Sequence, residues 1–327
     1  MYRYLTLLFF AVLQVSAQAR HDGDILSSQP WPELPAFDTE DEFSRKYFPK
    51  AVYEEARAQN EFDVLDITYS SDGNAVRGIL IGPKKPGERK WPAILFARGG
   101  TGDYGRITLP GRDVSFCKQE HTPCLTVVDL YLLAKAGFVV IASDYRFHGA
   151  TAKRDEWGGA DVDDLISLVP VLRSMDFVDT SRLYMYGVSR GGTMTYLALK
   201  RGAPVRAAAV VAGVSDLEAW GRYRPEFVNG YDTYDGWAKV WPDYADRAAE
   251  YYHERSAVQW ADQLKVPILI MHSRSDRLVP VDHAIRMASA LQAAGGTYAL
   301  HIYANDGHSL PANRMDRNRQ IVEWFGH

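Results

Sequence analysis

Two kinds of hydrophobic pattern divide the chain. Between residues 62 and 81 apolar and polar residues alternate, which predicts two antiparallel strands, and Ser71-Asp72-Gly73-Asn74 supplies the turn between them. After a linker rich in Pro, Gly and Lys at residues 82–90, the apolar runs become continuous. Strands buried on both faces have this pattern, and they occur mainly in parallel sheets covered by helices. The chain therefore predicts a mostly parallel sheet that is opened by an N-terminal hairpin.

Helical segments alternate with the continuous strands. The predicted strands are residues 92–97, 138–142, 183–186, 207–211, 268–271 and 300–303. The predicted helices are residues 126–136, 160–174, 192–201, 283–294 and 318–325. This order predicts an α/β fold with helices on both faces of the sheet and right-handed crossovers. We expect a domain at residues 61–327, preceded at residues 20–60 by a loosely held arm and an amphipathic helix.

Residues 217–259 interrupt the alternation and are unusually aromatic. The aromatic side chains are Trp220, Tyr223, Phe227, Tyr231, Tyr234, Trp237, Trp241, Tyr244, Tyr251 and Tyr252. An insertion that leaves the carboxyl end of a strand could cover the place where open α/β sheets bind ligands. Alternatively, a small helical insertion needs large aromatic side chains to stay packed. The sequence leaves both interpretations of this cap insertion open, and the two are not exclusive.

The first nineteen residues predict a signal peptide. Arg3 supplies a positive charge, residues 4–15 are almost entirely apolar, and Ala17-Gln18-Ala19 has the small-x-small pattern of a cleavage site. A run of about twelve residues is too short to span a bilayer, which needs about 20. We therefore expect export to the periplasm or the medium, cleavage after Ala19, and no stable membrane anchor afterwards.

Composition excludes some partners and changes how the cysteines are interpreted. The formal net charge of −4 and the pI near 6.1 give no sign of the basic surface that nucleic acid or an anionic membrane would need. Export favours a disulfide between Cys117 and Cys124. Neither cysteine has a His or Cys partner at a convincing ligand spacing, and the sequence implies no metal and no organic cofactor.

A glycine-flanked serine lies where a predicted strand becomes a predicted helix. The stretch Gly187-Val188-Ser189-Arg190-Gly191 has the Gly-x-Ser-x-Gly pattern of a nucleophile elbow. Such a turn strains the serine backbone and packs helix against strand, which leaves no room for a Cβ at either flank. The alternative is a glycine-rich turn with an incidental serine.

A serine hydroxyl needs a base to take its proton, and the base needs an acid to fix its tautomer. In the α/β-hydrolase arrangement the acid and then the histidine follow the serine. Asp276 and His308 each follow a continuous apolar strand, and so they are expected at the same sheet edge as Ser189. Asp306 is a rival acid; the rival histidines are His272, His283 and His301.

From about residue 62 to 325 the chain resembles the catalytic domain of the prolyl oligopeptidase family of serine peptidases, within the α/β-hydrolases. The matching pieces are Ser143-Asp144-Tyr145-Arg146 before Gly149, Asp179 to Arg182 leading into Gly187 to Gly192, Glu254-Arg255-Ser256, Val266-Pro267 leading through Asp276 to Val279-Pro280, and Tyr303 through Gly307-His308. The resemblance implies a nucleophile at Ser189, an acid at Asp276 and a base at His308. Their separations, 276 − 189 = 87 and 308 − 276 = 32, are similar to those of the family.

The resemblance also implies an oxyanion hole formed by the backbone N–H groups of Arg190 and Gly100. The family usually has His-Gly-Gly where Arg98-Gly99-Gly100 stands here, so a side-chain role for residue 98 does not carry over. Arg190 replaces a residue that is more often aromatic. Its side chain either faces solvent or places positive charge beside the acyl site, where it would favour acidic substrates.

The predicted function is that of a serine hydrolase that cleaves peptide bonds of small substrates through an acyl-enzyme. A carboxylesterase shares every catalytic part and is the alternative, because the triad does not specify the leaving group. Multidomain members of the family carry an N-terminal β-propeller, and roughly 60 residues before the hydrolase segment are too few for one. A non-catalytic binding protein on the same fold is the alternative of another class.

Overall fold

A twisted sheet organises the part of the chain that the structure describes. The structure is a computed structural model that describes residues 21–34, 36–39, 45–46, 48–100, 127–146, 156–230 and 236–326. Within these residues the strands are β1 (Ile25–Pro30), β2 (Phe62–Ser71), β3 (Asn74–Pro83), β4 (Trp91–Ala97), β5 (Val139–Ser143), β6 (Val178–Val188), β7 (Ala207–Val211), β8 (Ile268–Ser273) and β9 (Tyr298–Tyr303). They form a nine-stranded sheet in the order β1-β2-β3-β5-β4-β6-β7-β8-β9. The pairs β1–β2, β2–β3 and β3–β5 are antiparallel, and the remaining pairs are parallel.

Helices cover both faces of the sheet, as the sequence predicts. They are α1 (Lys50–Ala58), α2 (Val127–Lys135), α3 (Asp161–Ile166), α4 (Leu168–Arg173), α5 (Arg190–Lys200), α6 (Leu217–Tyr223), α7 (Pro225–Asn229), α8 (Trp237–Val240), α9 (Tyr244–Arg255), α10 (Asp282–Ala293) and α11 (Arg314–Gly326). One hydrophobic core packs α3, α4, α5 and α10 against one face of the sheet, and a second packs α1, α2 and α11 against the other. No helix in the described ranges is long and apolar enough to cross a membrane.

The hairpin and its turn are confirmed. Asp72 and Gly73 both have positive φ, 48° and 73°, between strands that pair Ser71 with Asn74. Two positive φ values are what a type I′ turn requires, and such a turn matches the right-handed twist of the strands that it joins. The Asp-Gly pair therefore sets the register of β2 against β3.

Two details of the predicted elements are wrong. The described part of the predicted loose arm contains β1, which pairs with β2 although every side chain of β1 is exposed. Main-chain hydrogen bonds at a sheet edge do not need an apolar pattern, and so the pattern missed this strand. The helix predicted at residues 160–174 is two helices that meet at Ser167. Pro170 has no N–H to donate to the carbonyl of Ile166, which interrupts the helical hydrogen bonds there.

The cap, residues 217–259, is described apart from residues 231–235, and its described aromatic side chains, except the exposed Tyr223, pack against one another. A buried cluster joins the cap residues Leu217, Trp220, Trp237 and Trp241 to Trp157, Val214 and Val279 outside the cap. Trp241 stacks on Tyr251 with ring centroids 4.6 Å apart, and Trp157, which precedes α3, stacks on Trp220 at 5.1 Å. These aromatic side chains therefore hold the cap together and attach it to the segment that precedes α3.

Replacing a buried cap tryptophan should destabilise the whole protein. Trp237 is completely buried, and large aromatic to Ala changes in a core cost about 3–5 kcal/mol. We expect Trp237→Ala to lower the free energy of unfolding in urea by about that amount. Tyr223→Ala is the matched control, because Tyr223 lies on α6 with 48% of its surface exposed, and we expect a loss below about 1 kcal/mol. Equal effects of the two changes would contradict a tightly packed cap.

Candidate active site

Ser189 lies in a sharp turn between β6 and α5. Its backbone has φ 57° and ψ −125°, which is a strained conformation for a residue with a Cβ. The turn is fixed on both sides, because the Ser189 N–H donates to the Val211 carbonyl at 2.9 Å and the Gly192 N–H donates to the Ser189 carbonyl at 2.8 Å. This is the strand–turn–helix context that the sequence pattern requires.

The flanking glycines are required by close backbone contacts. A Cβ on Gly187 would lie 2.2 Å from the Gly191 carbonyl oxygen, and a Cβ on Gly191 would lie 1.9 Å from the Ala97 carbonyl oxygen. A Cβ on Gly192 would lie 2.7 Å from the Cα of Gly213. Backbone atoms cannot move aside as the end of a flexible side chain can. The first turn of α5 therefore packs against the ends of β4 and β7 only because its contact positions are glycines.

Asp276 and His308 are in contact. Asp276 follows β8 and His308 follows β9, and their Oδ2 and Nδ1 atoms are 2.8 Å apart. The other carboxylate oxygen of Asp276 accepts the N–H groups of Leu278 and Val279 at 2.9 and 3.0 Å. Both side chains are buried, with 7% of each residue exposed. The two residues thus form a pair at the sheet edge where β6 ends at the Ser189 turn.

The surroundings of Asp276 keep its carboxyl group in the charged form. Burial alone would raise the pKa of Asp276, but the neighbouring His308 and the hydrogen bonds from His272 and His308 outweigh burial. Together they hold the pKa of the Asp276 carboxyl well below its usual range. Asp276 is therefore ionised at neutral pH and can orient and stabilise a charged imidazole at His308.

Asp306, the rival acid, organises the loop that carries His308. Its carboxylate accepts the N–H groups of Gly307 at 2.7 Å, Ala312 at 3.1 Å and Asn313 at 2.9 Å. Ser273 ties the same loop to the end of β8, because its hydroxyl donates to the Asp306 carbonyl at 2.7 Å and accepts the Asp306 N–H at 3.0 Å. Asp306 thus shapes the loop, whereas Asp276 contacts the imidazole.

The rival histidines have other surroundings. His272 is buried at the end of β8, with Nε2 2.8 Å from the Val279 carbonyl oxygen and 3.3 Å from the Asp276 carboxylate. The sequence offers His272 only as a rival base and does not predict its contact with Asp276, although the spacing of four residues across the tip of β8 is a signal for that contact. His283 lies in the first turn of α10, which begins within one residue of the predicted helix start, and its Nδ1 accepts the Ser215 N–H at 3.3 Å. His301 lies within β9, away from the strand end.

The side chain of Arg190 does not face solvent, so that interpretation is wrong. It is 1% exposed and bonds the Asp161 carboxylate of α3 at 2.5 Å and the Gly100 carbonyl oxygen at 2.9 Å. Arg98 is equally buried and lies 3.3 Å from the Asp144 carboxylate. The burial of the two arginines could not be predicted from the sequence, because each one is paired with an acid that is distant along the chain.

The structure describes only some of the remaining predicted site residues. Gly100 is described and has φ +68°, a value that favours glycine. Cys117, Cys124 and the signal peptide lie outside the described residues, so the disulfide and the cleavage stay predictions. Within the described residues, no cluster of three or more His, Cys, Asp or Glu side chains is arranged to hold a metal ion.

Gly191 should tolerate no side chain. We expect Gly191→Ala to lower the free energy of unfolding by at least about 3 kcal/mol, because its Cβ would overlap the Ala97 carbonyl oxygen and the backbone must move. Gly326→Ala is the control, since a Cβ there meets nothing within 4 Å. Urea unfolding of both purified variants measures the difference. A Gly191→Ala protein as stable as the control would contradict the packing described above.

Stability should fall in mild acid because His283 is buried. Burial, and secondarily the neighbouring His272, lowers the pKa of His283 from 6.5 to about 4. Between these two values the unfolded chain binds a proton that the folded protein does not, so stability decreases as pH falls through this window. The difference between 6.5 and about 4 corresponds to about 3 kcal/mol.

Substitution isolates this contribution. His283→Asn keeps an acceptor for the Ser215 N–H but cannot titrate. We expect the wild type to lose about 3 kcal/mol more of its free energy of unfolding than His283→Asn between pH 6.5 and 4, measured by urea unfolding. His21→Asn changes an exposed histidine and should follow the wild type. Equal losses in the wild type and His283→Asn would show that His283 is not the group responsible.

Comparison with known proteins agrees with this architecture. Residues 126–327 match the model of the prolyl oligopeptidase family. The protein described as uncharacterized peptidase YtmA of Bacillus subtilis is 26% identical over 261 residues, which cover 79% of this chain and 91% of that protein. Uncharacterized peptidase YuxL of the same organism is 27% identical over 284 residues, which cover 80% of this chain and 38% of that protein.

A solved structure of Pyrococcus horikoshii acylaminoacyl peptidase superposes with a TM-score of 0.62 at 21% identity. The superposition covers 82% of this chain and 42% of that protein, so the chain spans less than half the length of that protein and of YuxL. This likeness confirms the predicted α/β-hydrolase fold. With the family match over more than half of its length, the chain belongs to the prolyl oligopeptidase family.

Proposed function

We propose that this protein is a serine peptidase in which Ser189 is the nucleophile, His308 the base and Asp276 the acid. The hydrogen bond between Asp276 and His308 carries the proposal, because it is formed at the sheet edge where Ser189 occupies its strained turn. Membership of the prolyl oligopeptidase family supports serine-peptidase chemistry. The rival acid Asp306 uses its carboxylate within its own loop, which leaves Asp276 as the partner of His308.

The protonation of His308 follows from its contact with Asp276. A carboxylate only accepts hydrogen bonds, so Nδ1 of His308 carries a proton and Nε2 of the neutral ring is the acceptor. Nε2 takes the proton of the Ser189 hydroxyl as its oxygen attacks the substrate carbonyl carbon. The resulting imidazolium then gives this proton to the leaving amine when the peptide C–N bond breaks. A water molecule, activated by the same nitrogen, cleaves the acyl-enzyme and restores Ser189.

The tetrahedral intermediates place a negative charge on the former carbonyl oxygen. We assign its donors to the backbone N–H groups of Arg190, the first residue of α5, and of Gly100, in the loop after β4. The loop lies against the nucleophile, since a Cβ added to Gly99 would be 3.1 Å from the Cβ of Ser189. An N–H at the start of a helix also benefits from the helix dipole, which favours negative charge.

Peptide bonds of small substrates are the proposed target. YtmA and YuxL are both described as peptidases, and the superposed archaeal structure is an acylaminoacyl peptidase. A carboxylesterase would need the same residues, so substrates must separate the two activities. Export also remains part of the proposal, and its support is the signal-peptide pattern of residues 1–19.

Active-site labelling tests the nucleophile. We expect a fluorophosphonate to label the wild type at one residue and to leave Ser189→Ala unlabelled, because the hydroxyl that attacks phosphorus is absent. Ser181→Ala, a change of an exposed serine on the same strand, should be labelled like the wild type. A folded wild type that is not labelled would overturn the hydrolase assignment.

Turnover tests the base, the acid and the bond that is cleaved. With matched amide and ester substrates of one acyl group, we expect His308→Ala to lose a factor of about 10⁴ to 10⁶ in kcat and Asp276→Asn about 10³ to 10⁴. Asp306→Asn should lose far less, since Asp306 shapes the loop without touching the imidazole. Cleavage of esters with no cleavage of any matched amide would favour a carboxylesterase instead.

A further inference from the structure

Three consecutive carbonyl groups in the loop after β4 are each held by a buried side chain. The Tyr145 hydroxyl donates to the Arg98 carbonyl oxygen at 3.1 Å. The Arg98 guanidinium donates to the Gly99 carbonyl oxygen at 3.0 Å, and the Arg190 guanidinium donates to the Gly100 carbonyl oxygen at 2.9 Å. The loop that carries one proposed oxyanion donor is thus fixed by its own Arg98, by Tyr145 after β5 and by Arg190 of α5.

The three side chains belong to one buried assembly. The guanidinium carbons of Arg98 and Arg190 lie over the Tyr145 ring, 4.9 and 5.1 Å from its centroid. All three residues are 1% exposed. Each cation has an acid beside it, Asp144 for Arg98 and Asp161 for Arg190. Because the cations are paired and excluded from water, their hydrogen bonds are stronger and better fixed than those of exposed arginines.

Peptide geometry links these carbonyls to catalysis. A trans peptide unit is planar, so the carbonyl of one residue and the N–H of the next point in opposite directions. When Arg98 holds the Gly99 carbonyl, it also fixes the direction of the Gly100 N–H. Tyr145 and Arg190 hold the peptide units on either side, which limits rotation of the central one. The aim of the Gly100 N–H is therefore set by side chains that need not touch a substrate.

We propose that Arg98, Tyr145 and Arg190 form a carbonyl clamp, a set of positioning residues that aims the Gly100 N–H at the oxyanion. The inference rests on the proposed function and deepens it. It gives a role to Arg98, at the position where a histidine is usual in the family, and to the buried side chain of Arg190. The clamp acts on the transition state, because the charge that the N–H meets is fully developed only there.

Arginine suits this role better than lysine. Arg98 uses one terminal nitrogen for the Gly99 carbonyl and the other for the Asp144 carbonyl at 2.8 Å. Arg190 divides its two terminal nitrogens between Gly100 and Asp161 in the same way. The rigid fork of a guanidinium spans two acceptors in a fixed direction, whereas an ammonium group is a single point at the end of a flexible chain.

Steady-state kinetics of Arg98→Met test the clamp. We expect kcat to fall about 10- to 100-fold with KM within about 2-fold of the wild type, since misaiming a donor should cost less than the 10² to 10³ of deleting one. The inhibition constant of a peptidyl trifluoromethyl ketone, whose adduct places an oxyanion in the same position, should rise by the factor by which kcat/KM falls. Tyr145→Phe keeps the ring and removes one bond, and it should lower kcat about 2- to 10-fold.

Arg146→Met is the matched control. Arg146 is buried beside Tyr145 and paired with Asp164 at 2.9 Å, so its loss also leaves a buried acid unpaired. We expect a comparable loss of stability with kcat within about 2-fold of the wild type. Kinetics of Arg98→Met and Tyr145→Phe that match this control, or a change in KM alone, would overturn the clamp.

Two combinations of results distinguish a failure of the proposed function from a failure of the clamp alone. A folded wild type that neither cleaves nor is labelled overturns the proposed function and the clamp with it. An active wild type beside an active Tyr145→Phe protein with unchanged inhibition by the trifluoromethyl ketone overturns the clamp alone. If Arg98→Met does not fold, Tyr145→Phe decides the question by itself, because it retains both arginines and their acids.

Discussion

The backbone contact between the start of α5 and the end of β4 is the constraint on which the site depends. Gly191 approaches the Ala97 carbonyl so closely that no side chain fits between them, and Gly187 approaches Gly191 in the same way. This contact forces Ser189 into its left-handed conformation, since the chain must turn within one residue from strand to helix. It also brings the loop after β4 against the serine. The same close packing thus places the proposed nucleophile beside its proposed oxyanion donors.

Buried charge around this contact comes in pairs that join separate elements. Arg190 at the start of α5 bonds Asp161 on α3, and Arg98 after β4 lies beside Asp144 after β5. Such pairs contribute little net stability, because both ions are removed from water, but breaking one of them leaves an expensive uncompensated charge. An arrangement of the loops that separated either pair would leave such a charge without its partner. The pairs thus orient the loops around the site without adding net charge to it.

Much of the fold and of the candidate site could be predicted from the sequence, because these features depend on local patterns. The continuous apolar runs give the parallel strands, and the order of Ser189, Asp276 and His308 after strand ends places them on one edge. What could not be predicted depends on pairing across the chain. The burial of the Arg190 side chain depends on its pairing with Asp161, 29 residues earlier. The position of β1 depends on main-chain hydrogen bonds to β2, which its side-chain pattern does not indicate. The contact of His272 with Asp276 was missed because a buried histidine in a strand is ordinarily part of the core.

Trp157 connects two regions that would otherwise vary independently. Its ring stacks on Trp220 of the cap and also lies under the guanidinium of Arg190, 5.2 Å from the ring centroid. In evolution or in engineering, the cap therefore cannot be exchanged as an independent module without altering the support of the loop beside Ser189. Outward-facing positions such as Tyr223, with 48% of its surface exposed, can change without disturbing that shared tryptophan.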